Sequence, residues 1–464
     1  MLKTGTILIQ FVFILLIVFT YAFFEEEKNF DYYLSIIVVL QFLWQTVDIY
    51  TKKGTVMSVI FLFLLAAFLF NGGEFMVKIF NPRTFVLMEP IQDESIRKKA
   101  LLLIALSFSF IYFGAISFLR KPTSSTILEL KQKDILIFRR IGLTLLLISI
   151  GFQFDYLFKT LKVAMESGYY SIYSLEKGVG VNAIPKILRD FYVPSILILF
   201  WCDVKLKKKT SGIWIILLFF YSIMLFMIGY RGHAIMPILG FAFLYDKQYR
   251  KINTKKVAII GLFFLFVVFP LIKNFRNAPE SATVGDLVKY TIESVQEMAI
   301  LREMGGSAKT VGYTMELVPI VRDYDYGTGY LWATTSLLPN FFNEEVHPAI
   351  THANYAQWLT REINPWAAET GGGVGFSFIA EAYINFAYFG LIFLFFLGRS
   401  LVKLEKLADT KSIYIIVLSC FLSFFLMYSR GQFLDMTRSF VWYSLGPYLL
   451  FLFFRRNSPQ LIYK

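Results

Sequence analysis

Cysteine and charge are scarce in this sequence. Its two cysteines, Cys202 and Cys420, fall inside apolar runs, and their spacing fits neither a metal site nor an evident disulfide. We therefore expect both to be buried as small hydrophobic residues. The glycine-rich stretch TGGGVGFS at 370–377 lacks the following Gly-Lys-Ser/Thr of a phosphate-binding P-loop. Charged residues make up 17% of the chain, hydrophobic residues 56%, and the mean hydropathy is +0.58, which would be unusual for a soluble domain.

The apolar residues are grouped in runs of about 16–22, the length that crosses roughly 30 Å of hydrocarbon. The first run, Thr6 to Phe23, has no small-residue cleavage site after it, so we expect a retained span rather than a signal peptide. The sequence predicts an all-α polytopic membrane protein with about twelve transmembrane helices. These are expected at 5–23, 33–50, 55–71, 100–119, 141–159, 191–204, 211–229, 232–246, 256–273, 376–397, 412–429 and 439–454.

The loops between these runs differ in charge from one side to the other. TKKG, DVKLKKKTS, DKQYRKINTKK and the C-terminal RRNSPQLIYK are basic, whereas EEEKNFDYY and the other loops on its side are mixed or acidic. Positively charged short loops stay in the cytoplasm, so both termini are predicted to be cytoplasmic in a cell (inner) membrane. This topology explains the net charge of +13 without a nucleic-acid partner, and it favours contact with anionic membrane lipid.

Two connections on the outer side are long, at 161–191 and 274–375. Loops of that length usually carry structure or function, and VGDLVKYTIESVQEMAILREMGG in the second has amphipathic helical spacing. We therefore divide the chain into four regions. These are helices one to five with the first outer loop (1–190), helices six to nine (191–273), a large helical extracytoplasmic loop (274–375), and helices ten to twelve with a cytoplasmic tail (376–464).

Arginine recurs on the outer side, where the positive-inside rule does not require positive charge. Arg231 lies in YRGH at the outer turn between the seventh and eighth predicted spans, and a second Arg-Gly pair follows the eleventh. The outer arginines are Arg231, Arg276, Arg430 and Arg438, at or beside span ends, and Arg302, in the amphipathic segment after the ninth span. Guanidinium groups bind phosphate with two prongs and never deprotonate, so this group suits a phosphate or pyrophosphate at headgroup depth. The alternative is that Arg231 only extends toward the membrane boundary.

Aromatic and protonatable residues accompany the arginines. Tyr355 and Trp358 belong to a run of rings at 324–366 that suits either sugar faces or an interfacial belt. The candidates for accepting a proton are His352, Glu381 and Asp435. Imidazole and carboxylate groups act as general bases, and a carboxylate within a span is rarely without a role. The alternatives are an ordinary loop position for the histidine and an ion pair with arginine for Glu381.

Metal and cofactor chemistry is not expected. RDYDYG, with Asp323 and Asp325, has the D-x-D spacing of some metal sites, but short acidic pairs are common in turns. His233, next to Arg231, is expected to serve the helix entry rather than catalysis. We therefore predict no metal site and no cofactor.

Taken together, these motifs resemble the Wzy-type polymerases of bacterial O-antigen, capsule and related surface polysaccharides. The resemblance extends over residues 191–454. It rests on IGYRGHAIMPILGFAFLYDKQYRKI, NFRN, REMGGSAKTVGYTMELVPIVRDYDYGTGYLWATTSLLPNFF, GGGVGFSFIAEAYINFAYFG and SRGQFLDMTRSFVW. It implies a metal-independent membrane glycosyltransferase of the C type (GT-C) that joins oligosaccharide repeat units carried on undecaprenyl pyrophosphate. It also implies an extracytoplasmic active site and, as partners, a flippase and a chain-length regulator of the same pathway.

The resemblance also implies roles for individual residues. The five outer arginines match the recurrent functional arginines of the family. Arg231 would hold the donor pyrophosphate, because a fixed guanidinium stabilises charge that develops on a leaving group. His352 or Glu381 would accept the proton of the acceptor hydroxyl.

Three other functions fit parts of the pattern. A lipid-linked oligosaccharide flippase or transporter would also bind pyrophosphate, but two repeated halves and midplane binding residues are not evident. An O-antigen-ligase-like transferase would use the same donor with a different acceptor and stays open. A membrane O-acyltransferase would need a histidine deep within a span, and neither His347 nor His352 lies in one. The sequence therefore favours the polymerase.

Overall fold

The computed structural model describes residues 2–119, 127–167, 171–172, 183–277, 283–338 and 346–457. Within these ranges every regular element is a helix, and the one β-type contact is an isolated bridge between Leu128 and Lys411. The prediction of an all-helical protein is confirmed. Cys202 and Cys420 are buried and unpaired with each other, as predicted.

The helices are numbered in chain order. The first ten are α1 (Leu2–Phe24), α2 (Phe30–Lys53), α3 (Val59–Asn71), α4 (Gly73–Phe80), α5 (Glu94–Ile116), α6 (Gln132–Ser167), α7 (Ala183–Arg189), α8 (Tyr192–Lys205), α9 (Ser211–Ile228) and α10 (Arg231–Gln248). One further apolar rod is built from α11 (Thr254–Phe263), a π-turn (Phe264–Val268) and α12 (Phe269–Asn277).

The predicted outer segment is also helical where it is described. It contains α13 (Val284–Gln296), α14 (Ala299–Met304), α15 (Ser307–Leu317), α16 (Thr328–Thr334), α17 (Pro348–Ala353), α18 (Tyr355–Ile363) and α19 (Pro365–Glu369). The chain ends with α20 (Phe378–Phe386), α21 (Gly390–Ala408), α22 (Ser412–Phe425), a 3₁₀ turn (Leu426–Arg430), α23 (Phe433–Arg438), a π-turn (Ser439–Leu445) and α24 (Gly446–Asn457).

Eight helices of the described chain are long and apolar enough to cross a membrane, or nine if the bent pair α3–α4 is one span. All nine coincide with predicted spans. The other three predicted spans correspond to shorter or less apolar helices, among them α8 with only 14 residues. The chain is thus a multi-pass membrane protein by helix length and composition, while the count of twelve stays a prediction.

Two glycines allow α5 and α21 to cross at backbone contact. A Cβ added to Gly114 would lie 1.9 Å from the carbonyl oxygen of Phe395, and one on Gly398 would lie 1.9 Å from that of Ile111. Small residues at such crossings let helices approach closely and gain dispersion contacts. This crossing joins the N-terminal helices to the C-terminal half.

A second pair of glycines fixes the bend between α3 and α4, which is 59°. A Cβ on Gly73 would lie 2.7 Å from the Leu301 carbonyl oxygen, and one on Gly305 would lie 2.8 Å from the Glu74 backbone nitrogen. Larger residues would push α4 and α14 apart. This close approach places α14, with Arg302 and Glu303, directly against the bend.

Candidate active site

A polar cavity of about 790 Å³ lies between α4, α12, α14 and α15. It is lined by Val77, Asn81, Thr84, Phe85, Lys273, Gln296, Glu297, Ala299, Arg302, Glu303, Gly306 and Lys309. We call it the α14 cavity. Its volume falls in the range of about 300–1,000 Å³ that is usual for small-ligand sites. Three cations (Lys273, Arg302 and Lys309) and two carboxylates (Glu297 and Glu303) line it, so positive side chains are in excess, which favours an anionic group.

Arg231 reaches the edge of this cavity through Glu303. Its Nη2 atom pairs with Glu303 Oε1, and Lys273 Nζ lies 3.0 Å from the other oxygen, Oε2. Burial tends to raise the pKa of Glu303, but the ion pairs with Arg231 and Lys273 outweigh it and hold that pKa below its usual value. One carboxylate therefore serves two cations.

The second prong of the Arg231 guanidinium is not used. Its Nη1 atom is buried, and no described residue offers it a hydrogen-bond partner. A buried donor without a partner costs roughly 1–3 kcal/mol, so such an atom favours an acceptor that enters from outside the chain. The guanidinium thus has one paired nitrogen and one buried, unpaired nitrogen, which we call its open position; a ligand reaches it only when the side chains around it move.

Arg302 and Lys309 complete the cationic side of the cavity with weaker partners. Arg302 lies 3.3 Å from Glu89, and both side chains are more than half exposed. Its guanidinium also lies 5.3 Å from the ring centre of Phe85. Lys309 Nζ is 3.6 Å from Glu74 Oε1. Exposed or long ion pairs of this kind contribute little and exchange easily.

Glu381 lies elsewhere, in the first turn of α20, and is fully buried. Its Oε1 and Oε2 atoms accept the backbone N–H of Phe433 at 3.0 and 2.9 Å, and Oε2 also accepts the Tyr428 hydroxyl at 3.1 Å. Among the described residues no arginine contacts this carboxylate. Asn385 lies one turn farther along α20, and its side-chain amide donates to the Glu381 backbone carbonyl at 2.9 Å.

A polar chain that we did not predict is centred on Arg322. Arg322 Nη2 contacts both Asp325 oxygens at 3.1 and 2.8 Å and the His352 carbonyl at 3.1 Å. The Tyr355 hydroxyl donates to Asp325 Oδ2 at 2.6 Å and accepts from Asn385 at 3.2 Å. Burial and the bond to Asp325 raise the pKa of Tyr355, which keeps its hydroxyl protonated. The D-x-D spacing of RDYDYG suggests a metal motif and does not by itself indicate a role for Arg322.

Aromatic rings lie beside Arg322 and His352 in this chain of polar side chains. The Arg322 guanidinium lies 5.0 Å from the ring centre of Tyr355 and 5.3 Å from that of Trp358. His352 is exposed, and its ring centre is 5.1 Å from that of Trp332. Flat rings beside an arginine and an accessible imidazole can hold a sugar and accept a proton from its hydroxyl.

Close packing explains why position 329, shortly after RDYDYG, is a glycine. A Cβ on Gly329 would lie 1.6 Å from the Tyr355 hydroxyl and 3.0 Å from Asn385 Oδ1. Asn385 Oδ1 is itself buried without a hydrogen-bond partner among the described residues. The start of α16 is therefore pressed onto this polar chain.

The remaining candidates have separate neighbours. Arg430 lies 5.2 Å from the ring centre of Phe70, and Arg438 donates twice to the Ser336 carbonyl, at 3.1 and 2.8 Å. Asp435 is exposed, and it caps the start of α23 by accepting the Gln432 backbone N–H at 3.4 Å. The side chain of Arg276 lies outside the described part of the structure. The five arginines predicted to share one site are thus not all in contact.

Helix α15 lies between the two polar groups. It follows α14 directly, carries Lys309 toward the α14 cavity, and packs against α20 and α18. The α20 entry is tied to the α3 bend, because Ser377 donates to Asn71 Oδ1 at 2.7 Å. The Asn71 amide in turn donates to the Ser429 carbonyl at 2.7 Å. These bonds hold the cavity and the Arg322 chain on one framework.

Metal binding has no evident place in the described ranges, since no group of three His, Cys, Asp or Glu side chains converges there.

Comparisons with known proteins identify one family and one curated relative. The family model described as O-antigen polysaccharide polymerase Wzy matches residues 6–458. Protein CapE from Staphylococcus aureus is 26% identical over 399 residues, which cover 83% of this chain and 82% of that protein. No solved structure matches the chain.

Proposed function

Since the chain belongs to the O-antigen polysaccharide polymerase Wzy family, we propose that it joins oligosaccharide repeat units carried on undecaprenyl pyrophosphate. The polymerisation takes place at the outer face of the cytoplasmic membrane and builds a capsule-like or O-antigen-like surface glycan. It needs no metal. The GT-C architecture that the sequence resemblance implies is part of the same proposal.

The donor pyrophosphate binds in the α14 cavity. The observation that carries this assignment is the open Nη1 atom of Arg231 beside a carboxylate that already serves a second cation, Lys273. A phosphate oxygen can take the open position or displace Glu303, because guanidinium binds carboxylate and phosphate with the same two-pronged geometry. Arg302 and Lys309, which also line the cavity, then contact the rest of the anion.

The acceptor glycan lies over the rings beside Arg322. His352 accepts the proton, since it is exposed, whereas Glu381 is fully enclosed and cannot touch a sugar. The acceptor hydroxyl oxygen forms a bond with the anomeric carbon of the donor, and the bond from that carbon to the pyrophosphate oxygen breaks. The leaving lipid pyrophosphate carries the electron pair and is stabilised by fixed cations. Glu381 acts as a positioning residue that holds α23 against α20.

Substitution of Arg231 tests the donor site. Arg231→Ala should slow polymerisation by roughly 30- to 1,000-fold, the loss expected for one charge-assisted contact of about 2–4 kcal/mol. Arg231→Lys should recover only part of the rate, because lysine keeps the charge but loses the fork. Glycan chain length and rate are measured on membranes that contain equal amounts of each variant.

The matched control is Lys289→Ala, which removes an exposed cation from α13 in the same outer segment. It should leave chain length unchanged. The double variant Arg231→Ala/Lys273→Ala should be little worse than the worse single variant if both cations hold one group. Chains of near-normal length from Arg231→Ala, with protein at normal level, would reject the donor site.

Labelling tests the outer location of the reaction. Tyr326 is 80% exposed, so Tyr326→Cys should react with an impermeant maleimide in whole cells. Lys208→Cys, in the predicted cytoplasmic turn between α8 and α9, should react only after the cells are opened. Both native cysteines are buried, which keeps the background low. The reverse pattern of labelling would place the α14 cavity on the cytoplasmic side of the membrane and reject the outer location of the reaction.

A further inference from the structure

Arg139 and Arg140 are consecutive residues near the start of α6, yet their side chains have opposite surroundings. Arg139 Nε donates to Asp203 Oδ1 at 2.6 Å, and the Asp203 side chain is completely buried. Arg140 is exposed, and the described residues supply no acidic partner for it. Its side chain borders a groove between α6 and α24 instead.

This groove has a volume of about 420 Å³. It is lined by Ile137, Arg140, Ile141, Thr144, Leu145, Leu450, Phe454 and Asn457. Its walls are two apolar stripes at helical spacing, and Leu450 and Phe454 remain 42% and 50% exposed. Because this part of α6 enters a predicted span, the open side of the groove faces the lipid. Apolar walls of this kind suit a hydrocarbon tail.

Positive charge is concentrated at one end of the groove, the end predicted to be cytoplasmic. The carboxylate of Asp134, at this end of α6, is already paired with Arg455 at 3.3 Å. Arg140 lies six residues farther along α6, or about 9 Å deeper. Because the predicted span begins at residue 141, Arg140 lies at the membrane boundary, beside the apolar walls of the groove. A cation at this headgroup depth attracts anionic lipid.

We propose that the groove between α6 and α24 binds an anionic phospholipid of the cytoplasmic leaflet. The lipid tail fills the apolar walls, and the headgroup phosphate contacts Arg140. Basic pockets between membrane helices on the cytoplasmic side recognise anionic headgroups in this way. The site is distinct from the α14 cavity, and its occupation does not depend on the donor proposed above.

Native mass spectrometry of the full-length chain tests the proposal with phosphatidylglycerol and phosphatidylcholine as probes. The chain should retain phosphatidylglycerol in preference to phosphatidylcholine. Arg140→Gln should weaken phosphatidylglycerol binding about fivefold, the effect of one basic contact with an anionic lipid, and leave phosphatidylcholine unchanged. Lys255→Gln, which removes an exposed lysine from the start of α11, is the control for loss of charge and should bind like the parent chain.

A second variant tests the groove itself. Thr144 is exposed, so Thr144→Trp can fill the space without entering the core, and it should lower phosphatidylglycerol binding although Arg140 is intact. Equal losses from Arg140→Gln and Lys255→Gln would mean general electrostatic attraction and would overturn the site. Binding that Thr144→Trp leaves unchanged would do the same. A preference for phosphatidylcholine would overturn the anionic occupant.

Discussion

Glu405 and Glu303 are both carboxylates that two cations share, but their surroundings differ. Glu405 lies near the predicted cytoplasmic end of α21 and is completely buried. It pairs with Lys53 at 3.4 Å and Lys247 at 3.2 Å, and it accepts the backbone N–H of Val59 at 3.2 Å. Each of its oxygens has a partner, so this group connects α2, α3, α10 and α21. We call Glu405 and its two lysines the closed triad.

Glu303 forms the same kind of triad with Arg231 and Lys273, but it remains open. Its side chain is 35% exposed and borders the α14 cavity, and Arg231 keeps one buried donor atom without a partner. Complete and enclosed charge clusters stabilise a fold only in the sense that removing a member is costly. An incomplete cluster at a cavity can exchange a partner for a ligand. The surroundings, rather than the residue types, separate a structural triad from a binding one.

The largest effect is expected from opening the closed triad. Glu405→Ala leaves two lysines facing a buried site without their carboxylate, which should cost about 3–5 kcal/mol of folding stability. Thermal unfolding of the purified protein and its level in the membrane should both fall sharply. Glu129→Ala, which breaks an exposed pair with Lys205, is the control and should cost under about 1 kcal/mol. Equal stability of the two variants would remove the distinction between closed and open triads.

A smaller effect, of different kind, is expected at the open triad. Glu303→Gln keeps the side-chain shape but frees Arg231 and Lys273 for the donor. Donor binding should become tighter by up to about fivefold, the equivalent of roughly 1 kcal/mol for a partly exposed pair, while polymerisation continues. The measurement is the donor concentration at half-maximal rate. A loss of rate as large as that of Arg231→Ala would mean that Glu303 is needed to hold the arginine in place.

The pH dependence sharpens the same comparison. Because the folded-state pKa of Glu303 is below its usual value, its ion pairs add stability above the unfolded-state pKa of about 4.3 and lose it as pH falls through the folded-state pKa. The difference in unfolding temperature between the parent chain and Glu303→Gln should therefore be constant from pH 5 to 8 and shrink only in stronger acid. A difference that shrank between pH 7 and 6 would contradict the lowered pKa.

The smallest effect is expected from the exposed wall of the cavity. Arg302 is 53% exposed, and its only described ion pair is the long one with Glu89, so Arg302→Gln should change stability by less than about 1 kcal/mol. Its effect on donor binding should be only about two- to fivefold, because a solvated cation adds little to a site held by Arg231. A loss of donor binding as large as that caused by Arg231→Ala would mean that Arg302, rather than Arg231, is the main contact of the anion.

The helices were predictable because crossing a membrane requires long apolar runs, and the nine strongest runs are helices at the predicted positions. Breaks within runs were not predictable in the same way. The tenth span divides at a 3₁₀ turn over Ala387–Phe389, where Ala387 has a φ of +49°. Hydropathy does not register such a local break in the α-helical hydrogen bonding, so the run at 376–397 is predicted as one uninterrupted helix.

The candidate site shows a similar limit. Arg231 and Arg302 were singled out from the sequence because positive charge on the predicted outer side is unexpected; Arg302 lines the α14 cavity, and Arg231 pairs with Glu303, which lines it too. Arg322 was missed because its importance comes from contacts with Asp325, Tyr355 and Trp358, two of which are distant in sequence. Arginines that share a side of the membrane need not share a neighbour, as the separate contacts of Arg438 demonstrate.

The crossing of α5 and α21 sets different limits on how this sequence can drift. Most positions of α5 could exchange one apolar residue for another, since volume and hydrophobicity are what the packing requires. Gly114 and Gly398 have no such freedom, because even a methyl group would overlap a backbone carbonyl that cannot move aside. A chain of this type could therefore diverge almost beyond recognition over its N-terminal helices and still assemble. The two positions that this crossing restricts, one in α5 and one in α21, are residues without a side chain, which carry no charge and no chemistry that a motif search would notice.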